Sequence, residues 1–189
     1  LDPMTGVWEE MPHMLFARRG AVAGALEGKL YVCGGYDAFE QVLDLVECFD
    51  PRSAAVASTA GEEETSLGTT DDTSPTLTAS RGCWEAMPLM EESRAEPAAG
   101  SVGGSLYICG GCGGGIWEQL RSVERFDPTT NGWEAMPEML EPRSGAAGTS
   151  LGRRIFICGG MGSSVPTSVE SFDTSIGVWE AMPTMTVAR

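Results

Sequence analysis

The stretch Trp133-Glu134-Ala135-Met136-Pro137 decides how this sequence is interpreted, because the chain repeats it. The same five residues occur at 84–88 and at 179–183, and residues 8–12 differ from them at one position. An arginine follows each of the four tryptophans by ten residues. These arginines are Arg18, Arg94, Arg143 and Arg189. Self-similarity in one register, at a period of roughly 50 residues, is the signature of a repeat architecture.

Each repeat contains four short stretches that resemble β-strands. In the second repeat, residues 98–102 lead through two glycines into residues 105–109, which end at a second pair of glycines. A loop then precedes residues 123–127, and a tight turn leads to the strand that contains Trp133. Paired glycines and Asn-Gly between apolar runs are typical of hairpin turns. We therefore expect each repeat to fold as one four-stranded antiparallel sheet.

The strand at 105–109 is apolar on both of its faces. Leu106 and Ile108 lie on one face, and Tyr107 and Cys109 lie on the other, because successive side chains of a strand alternate. A strand with two apolar faces is covered on both sides. The sheets should therefore stack face to face, as the blades of a propeller do. The first strand of each repeat is rich in Ala and Gly, which suits a crowded centre.

The register of the repeats predicts the organisation of the chain. Residues 1–17 would form the outer strand of a preceding blade, residues 18–93 the first blade, residues 94–142 the second and residues 143–189 the third. The first blade carries an insert at 54–80 that is acidic, rich in Ser and Thr, and poor in large apolar residues. Such a composition is typical of a disordered surface loop.

Charge and cysteine placement narrow the functional classes. A net charge of −15 leaves no basic stripe to neutralise phosphates, which argues against nucleic-acid binding. No apolar run approaches the roughly 18 residues of a membrane helix. The same position in each repeat is occupied by Cys33, Cys109 and Cys158. Equivalent Cα atoms of stacked sheets lie roughly 10 Å apart, whereas a disulfide needs Cα atoms within about 7 Å of each other. These three cysteines are therefore not expected to pair. Reduced cysteines favour a cytoplasmic location.

No cofactor or metal ion is predicted from the sequence. Cys109 and Cys112 have the C-x-x-C spacing, but the repeat position explains Cys109, and no second pair is spaced for zinc. The glycine-rich run at 110–115 leads into no helix, so it makes a poor phosphate cradle.

These features together resemble the Kelch repeat. All three complete units have an Arg-led first strand, a hydrophobic run into Gly-Gly, and an aromatic residue followed by a tryptophan. The fuller pattern, Val-Glu-x-Phe-Asp and then Trp-Glu-x-Met-Pro-x-Met, is similar to the Kelch domains of BTB-Kelch ubiquitin-ligase adaptors. The resemblance implies an all-β Kelch propeller with about three four-stranded blades and one orphan outer strand. Since family propellers close with more blades, the chain resembles an incomplete propeller.

The resemblance also implies where a partner would bind. In Kelch proteins, the Gly-Gly loop and the loop that follows the tryptophan strand share one rim of the propeller. Arginines at the strand-leading position point there at acidic peptide motifs, which implies a binding role for Arg18, Arg94, Arg143 and Arg189. The alternative is structural, with each arginine paired to a glutamate or carbonyl of the adjacent blade.

The Gly-Gly loops vary while the rest of the unit repeats, which is where a rigid scaffold changes its specificity. Trp117 is the only tryptophan outside the repeat register, and an aromatic side chain at a loop tip is a plausible binding anchor. It could instead fold over its own blade. Weaker candidates are Tyr36, Asp37, Phe39 and Met161.

We therefore expect a non-catalytic module that binds a protein partner, a peptide or loop of acidic character, as in the substrate-recognition part of a ubiquitin-ligase adaptor. An actin- or cytoskeleton-binding role is an alternative that the sequence does not separate from this one. A metal oxidase is less favoured, because His13 is the only histidine and no nucleophile–base pair is present. Exposed faces at the ends of the blade stack would also favour self-association.

Overall fold

The chain folds into β-strands alone within the residues that the structure describes. A computed structural model describes residues 4–54, 81–115, 118–162 and 167–188. Three four-stranded antiparallel sheets account for most of the strands. These residues include no helix, and hence none that is long and apolar enough to cross a membrane.

Each sheet is one blade, and its strands are hydrogen-bonded in sequence order. Blade 1 consists of β1 (Val22–Leu26), β2 (Lys29–Cys33), β3 (Val46–Ala54) and β4 (Arg81–Ala86). Blade 2 consists of β5 (Ala98–Val102), β6 (Ser105–Cys109), β7 (Val123–Asp127) and β8 (Gly132–Met136). A short strand, β9 (Arg143–Ser144), pairs with β12 (Met161–Gly162) beside the last sheet. Blade 3 consists of β10 (Ala147–Leu151), β11 (Arg154–Cys158), β13 (Val169–Asp173) and β14 (Val178–Met182).

The blades stack face to face, as the two-faced apolar strands predict. Between blades 1 and 2, the ring of Tyr31 lies 5.5 Å from that of Phe126, over a core that includes Leu106 and Ile108. Between blades 2 and 3, a second core surrounds the aromatic rings of Tyr107 and Phe172, whose centroids are 6.2 Å apart. Each apolar sheet face in these two interfaces is therefore buried by the neighbouring blade.

The first strands of the three blades meet at the inner side of the stack, where space is short. A Cβ atom at Gly24 would lie 2.4 Å from a methyl group of Leu106. A Cβ atom at Gly148 would lie 2.6 Å from the carbonyl oxygen of Ala99 in the neighbouring blade. These strands are rich in Ala and Gly because the blades approach each other closely at the inner side of the stack, as predicted.

In each of the three blades, the tryptophan of the repeated stretch fastens the blade to the previous repeat. The indole nitrogen of Trp133 donates a hydrogen bond of 2.9 Å to the carbonyl oxygen of Pro88. Trp84 and Trp179 make the same bond, with the carbonyl oxygens of Pro12 and Pro137, both at 2.8 Å. The aromatic residue of the third strand packs beside each indole, at centroid distances of 5.1 to 5.2 Å. The repeated stretch is thus the outer seam between consecutive repeats.

Two local predictions differ from the structure. Val7 and Trp8 were expected in a strand, but residues 4–17 form none, and the Trp8 side chain is 79% exposed. A strand needs a hydrogen-bonded neighbour. The described residues include no preceding blade whose third strand could pair with this segment. The sequence predicts a third strand of blade 1 at residues 46–50 that Pro51 ends. In the structure, β3 continues to Ala54 through a register shift, where proline is tolerated in sheets. Residues 55–80 of the insert lie outside the described residues.

Candidate functional site

Two kinds of loop meet on one rim of the stack, as the repeat order predicts. The loop that joins the second and third strands of blade 1 pairs with the segment that leads into blade 2. The backbone nitrogen of Arg94 donates to the carbonyl oxygen of Leu43 at 3.0 Å, and that of Gly35 donates to the carbonyl oxygen of Arg94 at 2.9 Å. Backbone pairing of this kind holds both loops in place.

The side chain of Arg94 lies inside this rim and not on its surface. The guanidinium is fully buried and forms a 2.7 Å ion pair with Glu124. It also donates to the carbonyl oxygens of Gly110 and Ser122, at 2.9 and 3.1 Å. Of the nitrogen atoms in this side chain, Nε is the one that has no acceptor within the described residues. Arg94 therefore holds the Gly-Gly turn and the third strand of its own blade together.

Arg18 and Arg143 repeat this arrangement in blades 1 and 3. Arg18 pairs with Glu47, and Arg143 pairs with Glu170 at 2.7 Å, and all four side chains are nearly or fully buried. The resemblance implies that these arginines contact a ligand directly. In the structure their guanidiniums are buried and do not reach the surface. The structural alternative describes what is seen, with one correction: the glutamate belongs to the same blade, and not to the adjacent one.

The paired glutamates also reach the segment that arrives from the previous repeat. Glu124 accepts hydrogen bonds from the backbone nitrogens of Glu91 and Glu92, at 2.7 and 3.2 Å. Glu170 accepts one from the backbone nitrogen of Leu140 at 2.7 Å. A buried carboxylate with a cation and several N–H donors is well satisfied. These ion pairs therefore fix the rim loops to the sheets.

An open cleft of about 330 Å³ lies on this rim between blades 1 and 2. Its walls are formed by Arg19, Tyr36, Glu40 and Glu96, together with the backbone of residues 113–115. The guanidinium of Arg19 stacks over the Tyr36 ring, 4.6 Å from its centroid, and forms an exposed ion pair with Glu40. Of the predicted site residues that the structure describes, Tyr36 alone lines this cleft.

Tyr36 is held by two kinds of contact. Its backbone pairs with that of Arg19 in both directions, at 3.0 and 2.7 Å. Its burial and its hydrogen bond to Cys112 raise the pKa of the phenol above the ordinary value, so the hydroxyl stays neutral at pH 7. The ring is thus a fixed, uncharged wall of the cleft.

Glu96 reaches the cleft from the segment that leads into blade 2. Its backbone has a positive φ of 52°, which is unusual for a residue with a side chain. Its backbone nitrogen donates to Gly20 at 2.6 Å, and its carbonyl oxygen accepts from Gly145 at 2.9 Å. Its carboxylate has no ion-pair or hydrogen-bond partner within the described residues. The carboxylate is therefore available to a ligand.

Sequence reasoning missed Arg19, Glu40 and Glu96. A usable signal was present, since Arg19 occupies the place that Ala95 and Ser144 hold in the other repeats. Positions that vary inside an otherwise constant repeat mark the side chains that the scaffold leaves free.

The remaining predicted residues lie elsewhere. Trp117 and Arg189 are outside the residues that the structure describes. Phe39 is 81% exposed at a loop tip, where Asp37 accepts hydrogen bonds from backbone nitrogens of its own loop. Met161 is exposed in β12, beside blade 3. These three do not line the cleft.

Within the described part of the chain, the cysteines form no disulfide and belong to no cluster that could hold a metal ion. All six are free, as the spacing argument predicts for Cys33, Cys109 and Cys158. Burial raises the pKa of both Cys33 and Cys109 to about 12, so both stay protonated. No cluster of three or more potential ligands is found in the searched ranges, 4–54, 81–115, 118–162 and 167–188.

Comparison with known proteins agrees with the repeat pattern. The family model described as the Kelch motif matches residues 17–55, 93–140 and 142–186. These matches cover well over half of the chain. The second and third each contain a whole blade, and the first contains β1, β2 and β3 of blade 1.

Individual relatives match over shorter stretches. Kelch-like protein 21 of Rattus norvegicus is 41% identical over 54 residues, which are 29% of this chain and 9% of that protein. Kelch-like protein 33 of Homo sapiens is 28% identical over 127 residues, or 67% of this chain and 18% of that protein. The chain thus spans only a small part of the length of these relatives.

A solved structure has the same fold. The structure titled "Structure of YjhT" superimposes with a TM-score of 0.65 at 17% identity, over 89% of this chain and 53% of that one. Stacked four-stranded blades, the buried arginine of each rim and the matched motif lead to one conclusion. The chain belongs to the Kelch-repeat family.

Proposed function

We propose that this chain is a non-catalytic protein-interaction module that binds a peptide or loop of its partner in the cleft between blades 1 and 2. One observation carries the proposal: the side chains of Arg19, Tyr36, Glu40 and Glu96 differ from their counterparts in the other repeats and face one open cleft. Such variation on a constant scaffold is typical of recognition sites.

The scaffold around the cleft is rigid, which favours binding. The buried pairs Arg18–Glu47 and Arg94–Glu124 hold the two blades that flank it. A preorganised surface loses little conformational entropy when a partner binds. The arginines that the resemblance places at a ligand therefore support binding indirectly, by holding the loops that carry the cleft.

Selection from a random peptide library displayed on phage tests this proposal. We expect the chain to enrich peptides that no longer bind when Arg19 and Tyr36 are both replaced by alanine. The matched control replaces Arg125 and Glu134, an exposed ion pair on the outer strands, by alanine. If enriched peptides bind both variants equally well, the cleft is not the binding site and the proposal fails.

Within a longer adaptor, this module would select the protein that a cytoplasmic ubiquitin ligase modifies. The resemblance to BTB-Kelch adaptors supports this role. Fusing residues 1–189 to a BTB domain that recruits a cullin, and supplying a protein tagged with a selected peptide, tests it. We expect ubiquitination of the tagged protein to depend on Tyr36, and equal modification of an untagged protein would contradict the role.

We also propose self-association of the 189-residue chain through the outer face of blade 3. All five residues of β10 are exposed, and Leu151 is 74% exposed at the end of that strand. The face of blade 1 that carries Leu30 is equivalent to the one that blade 3 buries against blade 2, so a second copy could pack there. Residues 4–14 of that copy would meet β14 of the first.

Sedimentation velocity tests this association. We expect concentration-dependent dimers that weaken when Leu151 is replaced by serine and strengthen when residues 1–14 are deleted. A monomer at all concentrations, with or without the deletion, would overturn the proposal.

A further inference from the structure

We propose that the partner segment that enters this cleft is cationic and places an arginine or lysine side chain against Glu96. This inference deepens the proposed function and rests on it. It also reverses the polarity that the resemblance implies, since the strand-leading arginines were expected to attract an acidic partner.

The arginines that would make the rim basic are neutralised inside the protein. Arg18, Arg94 and Arg143 are each paired with a buried glutamate of the same blade. Each pair contributes no net charge to the surface, and its guanidinium is out of reach of a ligand. The rim therefore acquires its electrostatic character from its exposed residues.

Those exposed residues are mostly acidic. In the described parts of the rim loops, the exposed cations are Arg19 and Arg121, which already pair with Glu40 and Glu138. Further carboxylates on this rim include Asp37, Glu91, Glu96 and Glu118. Glu96 and Glu118 have no cationic partner within the described residues. An acidic rim attracts basic segments and repels acidic ones.

The cleft itself contains an example of how it would hold a cation. The Cζ atom of Arg19 lies over the Tyr36 ring, 4.6 Å from its centroid, while its Nη2 pairs with the carboxylate of Glu40. A cation over an aromatic face and beside a carboxylate is a favourable arrangement. A partner cation would find a second carboxylate in the same cleft, that of Glu96, which is half-buried and lies near Tyr36.

Glu96 is positioned and not merely exposed. Hydrogen bonds on both sides of its backbone, to Gly20 and Gly145, fix it where blade 1, blade 2 and the segment before blade 3 come together. Partial burial reduces solvent screening of its charge, so an ion pair formed there is stronger than one on an open surface. Three consecutive glycines, Gly113, Gly114 and Gly115, also line the cleft, and they bring backbone rather than side chains to it.

Fluorescence anisotropy with two defined peptides tests the inference. Both probes have a Gly-Ser backbone and a fluorescein label, and one contains three arginines where the other contains three glutamates. We expect the arginine peptide to bind, to bind more weakly as NaCl rises from about 50 to about 300 mM, and the glutamate peptide not to bind. Equal binding of both peptides, or tighter binding of the glutamate peptide, would overturn the inference.

The variant Glu96→Gln removes the charge with little change in shape. We expect it to weaken binding of the arginine peptide by about threefold to fivefold, the range of a partly exposed ion pair. The control Glu134→Gln removes an exposed carboxylate outside the cleft and should leave the affinity unchanged. Circular dichroism confirms that both variants are folded, so an unchanged affinity in folded Glu96→Gln counts against the inference.

The phage selection separates this inference from the proposed function. If the enriched peptides depend on Arg19 and Tyr36 but carry net negative charge, the cleft remains the binding site and the cationic partner is wrong. If no enriched peptide depends on those two residues, the binding site itself is wrong.

Discussion

Blade 2 and blade 3 have nearly the same sequence pattern and the same strand order, yet they differ in burial. Residues of β5 are buried almost throughout, whereas all residues of the equivalent strand β10 are exposed. Every residue of β6 is buried, whereas in β11 only Ile155 and Ile157 are. Blade 2 has a neighbour on both faces, and blade 3 has a described neighbour on one.

A blade therefore does not contain its own core. Its apolar side chains are in the sequence, but a neighbouring sheet supplies the burial. Stability in such a protein comes from terms within each repeat and from terms at each interface. Substitutions within a repeat and at an interface between blades separate these two contributions.

The largest effect should be the same in both blades, because it arises within the repeat. Replacing Arg94 or Arg143 by alanine leaves Glu124 or Glu170 buried without its cation. We expect each change to lower the free energy of unfolding by about 3–5 kcal/mol, measured by urea denaturation. A loss below about 1 kcal/mol for Arg143→Ala alone would show that even this pair depends on a second neighbour.

The second-largest loss of stability should depend on whether a neighbouring blade covers the sheet face that carries the substituted residue. Leu106 of blade 2 and Leu30 of blade 1 occupy the same position, but Leu106 is 0% exposed and Leu30 is 37% exposed. We expect Leu106→Ala to cost about 3 kcal/mol and Leu30→Ala less than half of that, because less apolar surface is buried at Leu30. Equal losses in urea denaturation would contradict the role that we assign to the neighbouring blade.

The labelling rates of the Cys109 and Cys158 thiols allow the accessibility of blade 2 to be compared with that of blade 3. Burial raises the pKa of Cys109 to about 12, while Cys158 is partly exposed. Thiolates are the reactive form. We expect iodoacetamide to label Cys158 at least about tenfold faster than Cys109 at pH 8, as followed by peptide mass spectrometry. Similar rates would mean that blade 2 opens as readily as blade 3.

The smallest effect should come from a surface pair of blade 2. Arg125 and Glu134 pair across adjacent outer strands and are partly exposed. We expect Arg125→Ala to change the free energy of unfolding by no more than about 1 kcal/mol in the same urea experiment. A loss as large as that of Arg94→Ala would show that exposure does not separate the two kinds of ion pair.

Much of the fold could be predicted from the sequence, because turn residues mark the strand ends. The strands at 105–109 and 123–127 were predicted to the residue, since paired glycines or Pro128 follow them. The segment around Trp8 was not, because a strand forms only when another strand pairs with it. The third strand of blade 1 was predicted too short, because proline ends a ladder only where no register shift absorbs it.

The site was less predictable, because exposure depends on packing. Arg18 and Arg19 are adjacent in the sequence, and nothing in their identity distinguishes the buried residue from the exposed one. The register of the repeat places Arg18 beside Glu47 and leaves Arg19 at the cleft. Tyr36 could be proposed because its loop varies between repeats, whereas Glu96 lies in a segment that sequence reasoning treated as a connection.

The bond between each indole nitrogen and a proline carbonyl oxygen implies how proteins of this type can change length. Trp133 uses the oxygen of Pro88, and Trp179 uses that of Pro137. Excision of residues 94–142 would present Trp179 with Pro88 in the same geometry, so a whole unit could be lost or duplicated while every joint stays intact. A deletion that removed Pro88 but kept Trp133 would instead leave an indole without its acceptor.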